Sequence, residues 1–302
     1  MGRRRRRKPG LEGVVLVDKP VGPTSREVVN QVGKALGLTS AGHTGTLDPL
    51  ASGLLIIVAG SATRVQDLFM GSRKTYRAAV RLGARSLTDD AEGPIESLPG
   101  VAAVDRTRID EVLVGFRGEI LQRPPAFSAI RIAGQRAHEL ARAGEVVDIP
   151  ERRVSIHAIE VLDFSWPTLE IEVTCGKGTF IRSLARDLGE QLGVGGYLQT
   201  LRRTRTGGHS VDAAKPPEAL RQADVLDLDA ALQHLPGLDL ESRHLTDLLE
   251  GREVPLPSGE DPADDAIIRW EGRVIGRLRL RPERRFRLRR LIRDPRNFVV
   301  PD

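Results

Sequence analysis

Residues 42–53 read Gly-His-Thr-Gly-Thr-Leu-Asp-Pro-Leu-Ala-Ser-Gly, and Asp48 is the one acid among them. A carboxylate in such a stretch can serve as a nucleophile or as a base. Gly42, Gly45 and Gly53 permit turns closed to other residues, and Pro49 pushes Asp48 out of the helical region. The stretch therefore predicts an irregular, rigid loop. The run Leu-Leu-Ile-Ile-Val at 54–58 has the length and content of a buried strand, which would anchor the carboxylate to the core. A second reading stays open, since an Asp beside glycines also caps its own turn without doing chemistry.

Two further side chains could join it. In residues 76–82 Tyr76 is in phase with Ala78, Val80 and Leu82, so it faces the interior of a half-buried strand. It is either core with a satisfied hydroxyl or a platform on which a base stacks. Arg182 falls in the first turn of a helix predicted over 180–192 and closed by Gly193. The positive end of a helix is the wrong place for a cation, so a carboxylate or phosphate should compensate it. The preceding Gly-Lys-Gly-Thr at 176–179 lacks the earlier glycine and the Lys-Ser/Thr adjacency of a P-loop, which sets aside nucleoside triphosphate hydrolysis.

The positioning elements follow from the pattern. Residues 14–17 form a first strand; Thr24 with Glu27 makes a capping box for a helix that closes at Gly37. Residues 87–100 are acidic and punctuated by Gly and Pro, which predicts a surface loop. Ile109, Val112, Leu113 and Phe116 recur at helical spacing, with the helix ending near Gly118. The segment 124–150 is thin in apolar residues and carries Arg131, Arg136 and Arg142. It reads as an excursion able to clamp a phosphate backbone. Strands are predicted over 154–162 and 169–174. Arg202, Arg203 and Arg205 flank the isolated Leu201, a polar helical region runs to about Leu235, and Pro236-Gly237 marks a boundary. Beyond it strands over 274–280 and 286–291 alternate apolar residues with Arg, giving a basic face that is either solvated or a nucleic-acid docking surface.

A chain of 302 residues can bury a sizeable core without a cofactor clip. The single Cys175 excludes a disulfide framework and a thiolate metal cluster, and the six His show no pair at ligand spacing. No stretch matches a signal peptide or is long enough to cross a bilayer, so a soluble protein of a reducing cytoplasm is expected. The net charge is only +5, but residues 3–8 hold five Arg and one Lys with no acid, and residues 269–302 hold twelve Arg against four acids. Two basic ends on an acidic body suit a polyanion gripped at chosen places; a GC-rich genome, which raises Arg everywhere, is the other explanation. The arm at 1–10 has nothing apolar to bury and should be disordered when free.

Several strings together carry a resemblance: Val17-Asp18-Lys19-Pro20 with Gly22 and Thr24-Ser25, the loop around Asp48, Tyr76-Arg77, Gly176-Lys177-Gly178-Thr179-Phe180-Ile181-Arg182, and Leu201-Arg202-Arg203. In this order and spacing, over residues 14 to about 205, they resemble the bacterial tRNA pseudouridine-55 synthases, the TruB family. The resemblance implies an α+β catalytic domain over 11–235, with a mixed, mainly antiparallel sheet flanked by helices and an RNA-clamping insertion at 124–150. Residues 236–302 resemble, more diffusely, a small β-rich PUA-type RNA-binding domain. It implies isomerisation of a T-loop uridine in tRNA, with no cofactor, no metal, no membrane and no obligatory protein partner. It assigns catalysis to Asp48, stacking on the target base to Tyr76, pairing with Asp48 to Arg182 and an apolar pocket wall to Leu201. His43 matches the histidine that fills the gap left by the flipped uridine, and Phe180 and Arg131 match further substrate contacts. The family usually has Tyr where Phe180 stands, and tends to show Tyr, Lys and Tyr where this chain has Phe127, Arg131 and His138. Two other functions compete: a guide-RNA-dependent synthase subunit of the dyskerin type, and an RNA-binding tRNA chaperone in which Asp48 is structural.

Overall fold

The computed structural model describes residues 10–128, 130–132, 135–137, 139 and 148–298. The basic arm expected over 1–10 lies outside them save for Gly10, as do His138, Arg142 and the side chains of Arg131 and Arg136.

The expected first helix, α1 (Ser25–Leu36), forms for local reasons. Thr24 and Glu27 make the reciprocal capping box, and Gly37 closes the helix in the left-handed region at φ 71°. Strand β1 (Gly13–Lys19) pairs antiparallel with β2 (Ala51–Ala59), and both are buried on two faces. Val15, Val17, Leu55 and Ile57 enter one apolar layer, while Val14, Leu16, Leu54, Ile56 and Val58 enter the other. Burial on both sides explains why these segments read as continuous apolar runs instead of alternating ones.

The remaining strands are β3 (Lys74–Leu82), β4 (Gly118–Gln122), β5 (Arg152–Ser165), β6 (Thr168–Cys175) and β7 (Gly196–Thr206). Among the described residues they complete a nine-stranded sheet in the order β1-β2-β7-β3-β6-β5-β4, with two short strands paired at its side. Every pairing is antiparallel except β2 with β7. Helices α1, α3 (Arg106–Val114) and α4 (Ile181–Gln191) contribute to the first apolar layer, and the short α2 (Gln66–Gly71) to the second through Phe69. Helix α3 stops before the expected Gly118, and Phe116 reaches the core from the turn that follows.

Two expected segments differ. Residues 87–100 are not simply a surface loop: strands Ala84–Ser86 and Ile95–Ser97 pair, and the chain between them turns Asp90 inward to 2 % exposure. Acidic composition signals exposure only where no cation waits inside, and here Arg182 does. Nor is 206–235 a helical region. It holds a tight turn, the short turns Val211–Ala213, Pro217–Ala219 and Gln222–Asp224, and one short helix, Leu228–Leu232. Pro216 and Pro217 break any helix, and Asp227 caps only the last piece.

A second sheet begins at Gly237, with β8 (Gly237–Asp239), β9 (Val254–Pro255), β10 (Ile267–Trp270), β11 (Arg273–Arg281) and β12 (Arg285–Leu291) in the order β8-β10-β11-β12-β9. Its Ile267, Val274 and Ile292 pack into the same layer as Val14, Leu54 and Ile56. The uniformly basic face expected here is largely neutralised. Arg277 is buried against Asp67 and Asp265, Arg289 also meets Asp265, and Arg281 and Arg285 meet Glu253.

Candidate active site

The Asp48 loop is held by its backbone. Ser25 Oγ accepts from the Leu47 N–H and donates to the Leu47 carbonyl, at 2.8 and 2.9 Å. Lys19 is fully buried, and its Nζ donates to the carbonyls of Pro20, Pro49 and Ala51. The Pro49 carbonyl also accepts from Gly22 N–H, and Ala51 N–H closes a turn onto the Asp48 carbonyl. Burial lowers the Lys19 pKa, while Asp48 and Glu92 oppose that shift. The strings around Lys19 and Asp48, distant in sequence, are thus one construction: a buried ammonium gathers the carbonyls that a tight loop leaves over.

Gly53 is where the loop becomes β2, and there the chain runs against β7. A Cβ on Gly53 would lie 2.3 Å from the Arg203 carbonyl oxygen, and its φ is +100°. Arg203 is itself buried, donating from Nε to the Leu54 carbonyl and from Nη2 to the Gly45 carbonyl. Arg202 makes a two-pronged pair with Asp18. Of the three cations beside Leu201, two therefore serve the fold, and Arg205 alone is exposed.

Tyr76 stands opposite Arg203 in the β3–β7 ladder and opposite Val173 of β6. Its ring faces inward, as the alternation predicts, and burial raises its hydroxyl pKa while the Arg203 guanidinium beside it pulls the other way. On the other side, Gly176 to Thr179 turn β6 into α4, and Gln122 clamps the backbone of Phe180 by donating to its carbonyl and accepting from its N–H. The Arg152 guanidinium lies over the Phe180 ring, 4.7 Å from its centre.

Arg182 then emerges at the start of α4, 7 % exposed. Its Nε lies 3.1 Å from Asp48 Oδ2, though the N–H is not aligned on that oxygen, and its Nη1 lies 3.1 Å from Asp90 Oδ2. It also donates to the carbonyls of Thr88 and Phe127. The anion demanded by a cation at this helix end is therefore a pair of carboxylates, and Arg182 is oriented without help from a hydroxyl at position 180. Asp90 accepts from the Thr88 hydroxyl at 2.5 Å and from the Glu92 N–H. Asp48 keeps 37 % of its side chain open.

That opening leads into a cleft of about 800 Å3 lined by Asp48, Tyr76, Phe180, Arg182 and Leu201. Lys74, Arg152, Arg153, Lys177, Arg182 and Arg203 line it against the carboxylates of Asp48 and Asp67. Cations outnumber acids, and two aromatic rings stand among them, a lining suited to an anionic chain that carries flat bases. Lys74 donates to the carbonyls of Met70 and Ser72, and burial lowers its pKa to about 8.

Five of the expected residues, Asp48, Tyr76, Phe180, Arg182 and Leu201, converge on one cleft. His43 does not line it. It sits on the two-residue strand Gly42–His43 just before the first lining residue, Thr44, with its carbonyl accepting from Gln66 and its Nδ1 buried without a partner. Burial lowers its pKa, so the ring is neutral at neutral pH. The side chain of Arg131 lies outside the described residues, although its backbone pairs with Arg136 in a short ribbon. Sequence reasoning missed Lys19, Ser25, Asp90 and Arg203 as parts of the site. A signal existed for Asp90, since Arg182 at the helix start required an anion.

The family model for the N-terminal domain of TruB family pseudouridylate synthases matches residues 34–181, and that for the tRNA pseudouridylate synthase B C-terminal domain matches residues 182–234. A tRNA pseudouridine synthase B of Azoarcus sp. (strain BH72) is 40% identical over 275 residues, covering 88% of this chain and 90% of the relative. That of Corynebacterium diphtheriae is 42% identical over 250 residues, covering 80% and 83%. Among solved structures, a chain of a Cbf5-Nop10-Gar1 complex superposes with TM-score 0.71 at 26% identity, covering 93% of this chain and 85% of that one. With this extent of match at this identity, and with a cleft built from the strings that carried the resemblance, the chain belongs to the TruB family of pseudouridylate synthases.

Proposed function

We propose that this protein isomerises the T-loop uridine at position 55 of tRNA to pseudouridine. The observation that carries the reading is Asp48, half-open on a rigid loop, paired with a buried Arg182 in a cationic cleft beside Tyr76 and Leu201. The reaction breaks the N1–C1′ bond, turns the base and joins C5 to C1′. It has no net redox change, and no group leaves. A single carboxylate suffices, as nucleophile at the sugar or as base toward a sugar proton; of the two carboxylates in the cleft lining, Asp67 pairs with Arg277 of the C-terminal sheet and Asp48 faces Arg182. Arg182 opposes the charge of Asp48, and Tyr76 and Leu201 would hold the extruded base between a ring and an apolar wall. Flipping costs a few kcal/mol, and stacking on an aromatic returns roughly 1–3 kcal/mol.

His43 would fill the space that the flipped base leaves in the RNA loop. Phe180 and Arg131 would contact the substrate, within a catalytic unit over 11–235 whose insertion at 124–150 closes on the T arm. Residues 236–302 would act as a PUA-like module. Relatives about 40% identical that are named tRNA pseudouridine synthase B support tRNA as the substrate, and on this reading the enzyme is cytoplasmic and needs no guide RNA. The chain solved in the Cbf5-Nop10-Gar1 complex, at 26% identity, is what favours the alternative that needs protein partners. Carbodiimide-stop primer extension on a tRNA transcript incubated with the purified chain tests both at once. A stop appearing at the T-loop uridine, with no other macromolecule added, supports the proposal, and no stop until a guide RNA and protein partners are supplied overturns it.

A further inference from the structure

Arg182 and Arg186 lie four residues apart on α4 and so share a face. The loop opposite them presents two consecutive carboxylates. Asp90 Oδ2 is 3.1 Å from Arg182 Nη1, and Asp89 Oδ2 is 2.7 Å from Arg186 Nη1. Neighbouring side chains in an extended segment point to opposite sides. These two can both face the helix because Asp89 adopts φ 63°, in the left-handed region that Asp tolerates better than most residues. The turn is fixed from outside as well, since the Asp89 N–H donates to Ser86 and its carbonyl accepts from Leu198 N–H of β7. Arg186 is held in turn by Asp187 and by the carbonyl of Arg123. Asp89 and Arg186 are 14 % and 21 % exposed and border a separate recess, with Arg85 and Glu190, outside the catalytic cleft.

We propose that Asp89 and Arg186 form a positioning pair for the reaction: they set the turn that holds Asp90 against Arg182, and so fix how Arg182 faces Asp48. The inference rests on Asp48 being the catalytic carboxylate. Neither member touches the reacting atoms; their effect passes through Asp90. The charged groups facing Asp89 are Arg186, Arg182 and Asp187 from α4, Arg85 and Glu190 across the recess, and Asp90 on its own loop.

Burial pushes the Asp89 carboxyl up to about 6, against the attraction of Arg186 and Arg182. Protonation removes the charge by which the Asp89 turn is tied to Arg186, leaving Arg186 to Asp187 and the Arg123 carbonyl, so the chemical step should slow as pH falls through about 6. The stability contribution of the same group has the opposite sign. The folded chain takes up this proton more readily than the unfolded one, so the contribution is full below the ordinary value of 3.8 and is lost as pH rises through about 6. Slowing that came from acid unfolding of this pair would therefore contradict the linkage.

The test is single-turnover pseudouridine formation on a tRNA transcript from pH 5 to 8, with tRNA affinity and melting temperature measured on the same samples. The proteins are the parent, Asp89→Asn, Arg186→Lys, Arg186→Met, the Asp89→Asn/Arg186→Met double variant and Asp48→Asn as the inactive reference. Asn keeps the shape and tolerates the left-handed backbone. Asp89→Asn and Arg186→Met should each be about tenfold slower at pH 7.5 with affinity within about twofold, Arg186→Lys should stay within about threefold, and the double variant should be no slower than either single. The parent's falling limb near pH 6 should vanish in Asp89→Asn. Parental rates in Asp89→Asn, an unchanged limb, or a rate loss that follows affinity or melting temperature would overturn the inference. A parent that forms no pseudouridine would instead defeat the functional reading beneath it, a result distinguishable from the others because Asp48→Asn and the parent would then be alike.

Discussion

The backbone on either side of Asp48 is fixed, with Leu47 held by Ser25, Pro49 and Ala51 held by Lys19, and the Asp48 carbonyl itself closed onto by Ala51 N–H, while among the described residues its carboxylate pairs with Arg182 and faces the open cleft. Removing the charge should leave the loop standing. Asp48→Asn is expected to abolish pseudouridine formation while tRNA affinity stays within about tenfold, because binding rests on phosphate contacts and stacking. Near-parental turnover would remove Asp48 from the chemistry. Loss of affinity and melting temperature together would make it structural and revive the chaperone reading. Arg182 is held by Asp48, Asp90 and two backbone carbonyls, so a hydroxyl at position 180 has little left to orient. Phe180→Tyr should change the single-turnover rate by less than about tenfold, or about 1.4 kcal/mol. Arg182→Ala leaves Asp90 buried without its cation and should cost about 3–5 kcal/mol of stability as well as the reaction. Equal harm from the two substitutions, measured by rate and by denaturant melt, would contradict this account of the pair.

The same division between local and distant causes explains what the sequence made legible among the elements. Helix α1 could be bounded because Thr24, Glu27 and Gly37 act within a turn of their own helix ends, and Tyr76 could be aimed because alternation is local to one strand. The Asp48 loop announced itself through glycines and a proline. Asp90 could not be placed, because its burial depends on a guanidinium from a helix far along the chain, and acidic, Gly/Pro-rich sequence ordinarily means exposure. Lys19 was hidden in the same way: a lysine after a strand reads as surface unless one knows that a loop opposite needs donors. Gly53 is a case where sequence hinted and structure supplied the magnitude. With its Cβ position 2.3 Å from the Arg203 backbone at φ +100°, Gly53→Ala must part β2 from β7 or strain both. It should cost at least about 1–3 kcal/mol and lower activity in step with melting temperature, since Leu201 and Arg203 shift with the strand. A variant with parental melting and rate would show that the two strands have slack the geometry denies.

At the scale of the whole molecule, the boundary suggested by Pro236-Gly237 separates two sheets in sequence more than in packing. Ile267, Val274 and Ile292 share a layer with Val14, Leu16, Leu54, Ile56 and Val58 on the face of β1 and β2 turned away from α1. Polar ties run beside that layer: Arg277 to Asp67, Arg64 to the Ile292 carbonyl, and Asp229 to Arg293 and the Val274 N–H. Asp67 also lines the cleft that Asp48 faces, so the C-terminal sheet braces α2 (Gln66–Gly71) as well as covering the back of β1 and β2. A chain ended at residue 236 would bare several of those side chains, each worth roughly 1.5–3 kcal/mol when fully buried, against a total stability on the order of 5–15 kcal/mol. The full chain should therefore melt in one transition that includes both sheets, and the shortened chain should fail to melt cooperatively or should aggregate. Scanning calorimetry on both proteins decides it. A shortened chain that stays monomeric and melts cooperatively within a few degrees of the parent would mean that the shared layer contributes little. The C-terminal sheet would then be free to move as a separate body instead of holding a fixed distance from Asp48.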